Sequence, residues 1–137
     1  MEGKRHLLSG RRQTYLQGDF NKTNLIVSPD GEMSVVDFNV VDLPYGDPYW
    51  EFDFMAWDTE APPHFYTGLA RGYFAGEPPQ EFFDMLRYYT AFDAMKVLSD
   101  QDLKRRGRYR NHVRRWLVDL SNPRPAWYLS AIPCSPS

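Results

Sequence analysis

The chain is poor in residues that build covalent or metal-held scaffolds. Cys134 is the single cysteine, set in a Pro/Ser-rich tail with no neighbouring histidine, which excludes an internal disulfide and a cysteine-based zinc cluster. His64 and His112 show no metal-ligand spacing and read as ordinary surface or core residues. No apolar run approaches the roughly 18 residues of a membrane-crossing helix. The basic stretch Met1 to Arg12 leads into neither an apolar segment nor the small-residue cleavage site of a secretory leader. The expectation is a cytoplasmic protein with no membrane partner. Internal repeats and low-complexity segments are also missing, so solenoids and arrays are set aside.

What remains is ordinary globular material. The 137 residues suit one compact domain with a genuine core, and 25% charged residues, 42% hydrophobic residues and a net charge of -2 place the chain away from disordered tails. Aromatic residues reach 16% and crowd between Tyr45 and Tyr89. Burial in a core is the simpler account of them, and pocket lining is the other.

Along the chain, Thr14 to Leu16 is a short β-prone run ending at Gly18. Asn24 to Val27 and Met33 to Phe38 are two further extended runs. Between them Ser28-Pro29-Asp30-Gly31 supplies a fixed φ, a side chain able to bond the backbone and then a positive φ, which predicts a β-hairpin. Gly46-Asp47-Pro48 offers a capping Asp and a first-turn proline, predicting a helix that begins near Asp47 and carries the pattern from Tyr49 to Thr59. Pro62-Pro63 breaks it. A short helix over His64 to Phe74 follows, and another starts at Glu77-Pro78-Pro79 with Phe82, Phe83, Leu86, Tyr89 and Phe92 on one face. Asp100 to Leu120 reads as a last helix, ended by Asn122-Pro123-Arg124-Pro125.

Chemistry concentrates around the hairpin. In Gln17-Gly18-Asp19-Phe20-Asn21-Lys22-Thr23-Asn24 an Asp and an Asn stand five positions apart, and Asp37 follows thirteen residues later at the far end of the hairpin. Two carboxylates and an amide thereby return to one place. Phosphoryl transfer needs such a set: one carboxylate to accept the proton of a hydroxyl, and an Asn with a second carboxylate to hold magnesium against phosphates.

At these residues the chain resembles the aminoglycoside phosphotransferase and choline kinase type of enzyme. Gln17 to Asn24 and Val36-Asp37-Phe38 are similar to the family's His-Gly-Asp-x-x-x-x-Asn loop and following Ile/Val-Asp-Phe, and Tyr45-Gly46-Asp47-Pro48 resembles its Gly-Asp-Pro. Gly76-Glu77-Pro78-Pro79-Gln80-Glu81-Phe82-Phe83 and Asn122 to Tyr128 resemble the tail of a bacterial branch. The resemblance implies an α+β fold, a mostly helical kinase-like C-terminal lobe over 1–137 as a single domain. Its catalytic hairpin would span about 14–48, its helical part about 49–121 and an irregular tail 122–137.

It also implies transfer of the γ-phosphoryl of ATP or GTP, with Mg2+, to a hydroxyl of an aminoglycoside, macrolide or amino alcohol. Asp19 corresponds to the catalytic aspartate, and Asn24 and Asp37 to the magnesium and nucleotide ligands. Asp47 corresponds to an aspartate that braces the loop, a role compatible with its plain reading as a helix cap. The family's histidine is Gln17 here, whose amide both donates and accepts and so can share the loop-holding task.

Only Met1 to Leu16 precede the loop, with no glycine-rich phosphate loop, and Lys4, Arg5, Arg11 and Arg12 do not map onto the family's strand lysine. The expectation is therefore a lobe without its N-terminal partner, completed by a separate chain or self-associating through the uncovered face. The alternative is a catalytically silent interaction module. For substrate, Glu51, Asp53, Asp58 and Glu60 offer an anionic wall with Trp50 and Trp57 as stacking surfaces, against the plainer reading of a solvated face. The basic stretch from Lys104 to Arg115 reads as a solvated helix face, and no nucleic-acid partner is expected.

Overall fold

The computed structural model describes residues 7–38, 45–56, 63–99, 122–125 and 128. The helix expected over 100–120, the basic stretch within it, Cys134, and Trp57, Asp58 and Glu60 lie outside the described residues. The chain forms two compact units, Met1–Asp58 and Thr59–Ser137. Among the described residues the protein is α+β, with small antiparallel sheets and two α-helices. Among the described residues no helix is long and apolar enough to cross a membrane.

The described residues of the first unit form two two-stranded antiparallel sheets. β1 (Thr14–Tyr15) pairs with β4 (Tyr45–Gly46), placing Thr14 opposite Gly46 and Tyr15 opposite Tyr45. The two tyrosine rings meet edge to face at 5.6 Å. β2 (Leu25–Val27) pairs with β3 (Met33–Val35), with Leu25 opposite Val35 and Val27 opposite Met33.

The expected turn closes this hairpin. Ser28 N donates to Glu32 O at 2.9 Å, Gly31 N donates to Ser28 O at 2.9 Å, and Gly31 sits at φ +89°. A type I turn followed by a left-handed glycine matches the right-handed twist of the strands. The Ser28 hydroxyl donates to Asp30 and holds that carboxyl below its ordinary range.

The helix expected from Asp47 is a 3-10 helix, Pro48–Ala56. Asp47 caps it, accepting from Tyr49 N at 3.0 Å, and Trp50 N donates to Asp47 O at 2.9 Å in the i to i+3 pattern. Aromatic residues with restricted χ1 fill its first turns, and they are weak α-helix formers. The strand β4 was not part of the sequence expectation. At two residues it is too short to leave a period.

In the second unit α1 (Pro63–Phe74) opens on proline, whose missing N–H costs nothing in a first turn. It closes with Gly76 N donating to Arg71 O at 2.9 Å and Ala75 N to Gly72 O at 3.3 Å, with Ala75 left-handed at φ +51°. α2 (Gln80–Ser99) follows the Pro78-Pro79 break. It buries Phe82, Phe83, Met85, Leu86, Tyr89, Thr90 and Ala94, and α1 buries Tyr66, Thr67 and Ala70.

Phe92, expected on the buried face, is 41% exposed, because the buried row runs from Leu86 through Thr90 to Ala94 and leaves position 92 to the side. Asn122, Pro123 and Tyr128 are fastened to α2 and the residues just before it. Gln80 Nε2 donates to Pro123 O at 3.1 Å, Arg87 Nη1 donates to Asn122 O at 2.8 Å, and the Tyr128 hydroxyl donates to Glu77.

A tight approach in the first unit gives a stability test. A Cβ on Gly46 would lie 2.7 Å from Leu16 Cδ1, and Leu16 is 2% exposed. Gly46→Ala is expected to lower stability by about 1–3 kcal/mol through overpacking. Adding Leu16→Val should recover part of the loss, so the pair is expected to be less destabilised than the sum of its singles in a urea-denaturation double-mutant cycle.

Candidate functional site

The loop between β1 and β2 turns at Gly18, whose φ of +82° favours glycine, and ends in the short 3-10 turn Lys22–Asn24. Its carboxylate, Asp19, is exposed at the surface but held. Asn21 Nδ2 donates to Asp19 Oδ1 at 2.9 Å, and Asn24 Nδ2 donates to Asp19 Oδ2 at 3.0 Å and to Asp19 O at 2.8 Å. One amide thus addresses each carboxylate oxygen, and hydrogen bonds to a charged acceptor are the stronger kind. Asn24 is buried and its side-chain nitrogen donates only to Asp19, while its side-chain Oδ1 accepts no hydrogen bond from the described residues.

The hairpin brings Asp37 back to this loop. Val36 N donates to Asn24 O at 2.9 Å, extending the β2–β3 pairing by one step, and Asp37 is the next residue. Asp37 takes the left-handed conformation at φ +56°, uncommon for a residue with a Cβ and least costly for Asp and Asn. Gln17 holds it there. The buried Gln17 side chain donates from Nε2 to Val36 O at 3.1 Å and to Asp37 O at 2.7 Å, while its Oε1 accepts from Asp19 N at 2.6 Å. A single amide therefore joins the Asp19 loop to the Asp37 segment. Asp37's own carboxylate takes no hydrogen bond or ion pair among the described residues.

The loop is braced from the other side by Glu51, whose Oε1 accepts from Gly18 N at 3.2 Å. Burial pushes the Glu51 carboxyl above its ordinary value; the amides of Gly18 and Gln17 oppose that shift, and the charge of Asp19 adds to it. The acid considered for an anionic substrate wall is thus engaged with the loop. Trp50 is half-buried in the same 3-10 helix, and the side chain of Asp53 lies outside the described residues.

Asp47 is buried and forms a side-on pair with Arg11, Nε to Oδ2 at 2.6 Å and Nη2 to Oδ1 at 3.0 Å. Arg11 also lies 4.3 Å from the centre of the Tyr49 ring. The pair fastens the approach to β1 onto the end of β4.

These contacts gather Gln17, Asp19, Asn24, Asp37, Asp47 and Glu51 within the first unit. Two contributors were not anticipated. Asn21 carries the signature of a cap before a short turn, with Thr23 N and Thr23 Oγ1 donating to its Oδ1 at 2.9 and 2.5 Å, a signal available in the sequence. Arg11 gave no such signal, because its partner is 36 residues away.

The donor set suits a hard cation. The Asn24 side-chain Oδ1 and the Asp37 carboxylate are oxygens that take no hydrogen bond from the described residues, and magnesium is ordinarily held by one or two protein oxygens together with water and substrate phosphates. A cluster of three His, Cys, Asp or Glu is absent among the described residues, and such a site does not require one.

Two outcomes are expected of the loop's braces. Gln17→Leu keeps the volume but strands the Asp19 amide and the carbonyls of Val36 and Asp37. It should lower stability by about 1–3 kcal/mol and speed hydrogen exchange at the Asp19 amide. Glu51, whose carboxyl is raised in the fold, favours folding most when protonated, and that contribution is lost as pH rises through its folded value. Glu51→Gln keeps an oxygen for Gly18 N without the buried charge. Its denaturation midpoint relative to the parent should therefore rise between pH 4 and pH 8; a constant difference would contradict the assignment.

Comparison with curated proteins and with solved structures gives no match. The model of the phosphotransferase enzyme family matches residues 4–89, more than half of the chain. That stretch contains the Asp19 loop, its hairpin and the 3-10 helix that braces it, and on this match the chain belongs to the phosphotransferase enzyme family.

Proposed function

We propose that the first unit carries the catalytic half of a phosphotransferase that moves the γ-phosphoryl of ATP or GTP to a hydroxyl of a small molecule, within a kinase-like C-terminal lobe. Gln17 is the observation that carries this reading. Its amide brings the Asp19 loop and the Asp37 segment into one hydrogen-bonded unit, as a base and a metal ligand serving one reaction require.

Asp19 takes the proton of the acceptor hydroxyl as that oxygen bonds to the γ-phosphorus, and the bond to the bridging oxygen breaks, leaving the nucleoside diphosphate. Asn24 and Asp37 would hold magnesium, which supplies neutralisation of phosphate charge when bound. The rest is positioning: Gln17 and Glu51 fix the backbone of the loop, and Asn24 fixes Asp19 as well.

The acceptor classes in view are aminoglycosides, macrolides and amino alcohols. Trp50, half-buried in the loop-bracing helix, is the aromatic side chain considered as a stacking surface. Family membership favours a transferase over a silent interaction module. The module draws its support from apolar side chains at the hairpin tip, Ile26, Val27 and Met33, which are 56%, 64% and 53% exposed.

The test is the thermal midpoint of the chain with and without magnesium-ATP or magnesium-GTP, repeated on Asp37→Asn. A ligand at about 100 times its Kd stabilises by roughly 2.7 kcal/mol, a shift of several degrees for a chain of this size. The shift is expected to require both magnesium and Asp37. No shift at saturating nucleotide would show that this chain alone is not a working transferase.

A further inference from the structure

We propose that Asn21 is a positioning residue for the reaction, fixing the orientation in which Asp19 presents its carboxylate; the inference rests on the reading of Asp19 as the base. An exposed aspartate is ordinarily free to exchange among the three staggered χ1 wells. Asp19 is exposed, yet both of its carboxylate oxygens receive an amide N–H, Oδ1 from Asn21 at 2.9 Å and Oδ2 from Asn24 at 3.0 Å. Asn24 alone leaves the carboxylate a hinge about one oxygen. The second donor removes it.

Asn21 is itself oriented. Thr23 donates to its Oδ1 from both the backbone N and the hydroxyl, which fixes which end of the amide faces Asp19, because only the Nδ2 end can donate. Asn21 Nδ2 also reaches Asp19 O at 3.2 Å, and Asn21 N donates to the same carbonyl at 2.9 Å. A chain of donors thus runs from Thr23 through Asn21 to the carboxylate. Its consequence for catalysis is geometric: the unshared electron pairs of Asp19 not taken by the two amides are the ones left to receive a hydroxyl proton.

The plainer account is that Asn21 only caps the turn Lys22–Asn24. The two roles use opposite ends of the amide, so they separate experimentally. Asn21→Asp keeps an oxygen that accepts from Thr23 N, and Asp and Asn are comparable caps, but it removes the donor to Asp19. In the full chain, NMR three-bond couplings from the Asp19 β-protons to Hα and to N report its χ1 distribution.

The parent is expected to show one dominant rotamer, and Asn21→Asp to lose it while keeping a thermal midpoint close to the parent's. If like charge beside Asp19 unfolds that variant, Asn21→Ser, an uncharged cap with a shorter side chain, carries the same measurement. Unchanged Asp19 couplings in the folded variant would overturn the proposal, as would an averaged rotamer already present in the parent. Nucleotide-dependent thermal shifts are read separately. Their absence would show that this chain alone is not a working transferase, while the couplings alone decide whether Asn21 orients Asp19.

Discussion

The side chain of Gln17 is the joint on which the site depends. It accepts from the amide that follows Gly18 and donates to two consecutive carbonyls on the far side of the hairpin, all within hydrogen-bond reach of one buried amide. Glutamine can do this because it carries an acceptor and a two-proton donor on one planar group. A neutral imidazole has one donor nitrogen and one acceptor nitrogen. The amide gives an equivalent link, and one whose charge stays constant across the physiological pH range, where histidine titrates.

Around that joint the first unit is built with little apolar material. Leu16 and Phe52 are its buried hydrophobic residues among those described, and they share the interior with Gln17, Asn24 and Asp47. Burial of two such side chains supplies only about 3–6 kcal/mol. Buried polar groups are tolerable here because each is hydrogen-bonded: Asp47 to Arg11 and the Tyr49 amide, Asn24 through its side-chain nitrogen to Asp19, and Gln17 to three backbone groups. Removing one partner of such a network exposes the desolvation cost of the other. The strained Asp37 backbone is stabilised by the same network.

The hairpin and its turn were legible in the sequence because Pro29-Asp30-Gly31 dictates backbone angles locally. α1 and the start of α2 were legible because proline marks both boundaries. The grouping of Asp19, Asn24 and Asp37 was also legible, since a hairpin returns its two ends to each other. Bonds that cross long intervals were not. Arg11 finds Asp47 and Gly18 finds Glu51 across 36 and 33 positions, and nothing in either residue's neighbourhood names its partner. Glu51 was weighed as substrate-facing because an acid following Gly-Asp-Pro reads the same whether it meets solvent or a backbone amide. Phe92 misled for a related reason, as helical spacing alone does not say where a buried row shifts sideways.

The separation between those partners also bears on the order in which the site assembles. The hairpin from Asn24 to Val36 closes over a few residues and can form as soon as its turn exists, on the microsecond scale of isolated hairpins. The Asp19 loop has no such independence: its outer brace is Glu51, and the strand that precedes it is anchored through Arg11 to Asp47. During synthesis, then, the residues that would perform chemistry emerge before the 3-10 helix and remain unformed until it follows. That delay couples the loop's geometry to completion of the unit that contains it, so a partly made chain carries the motif without the site.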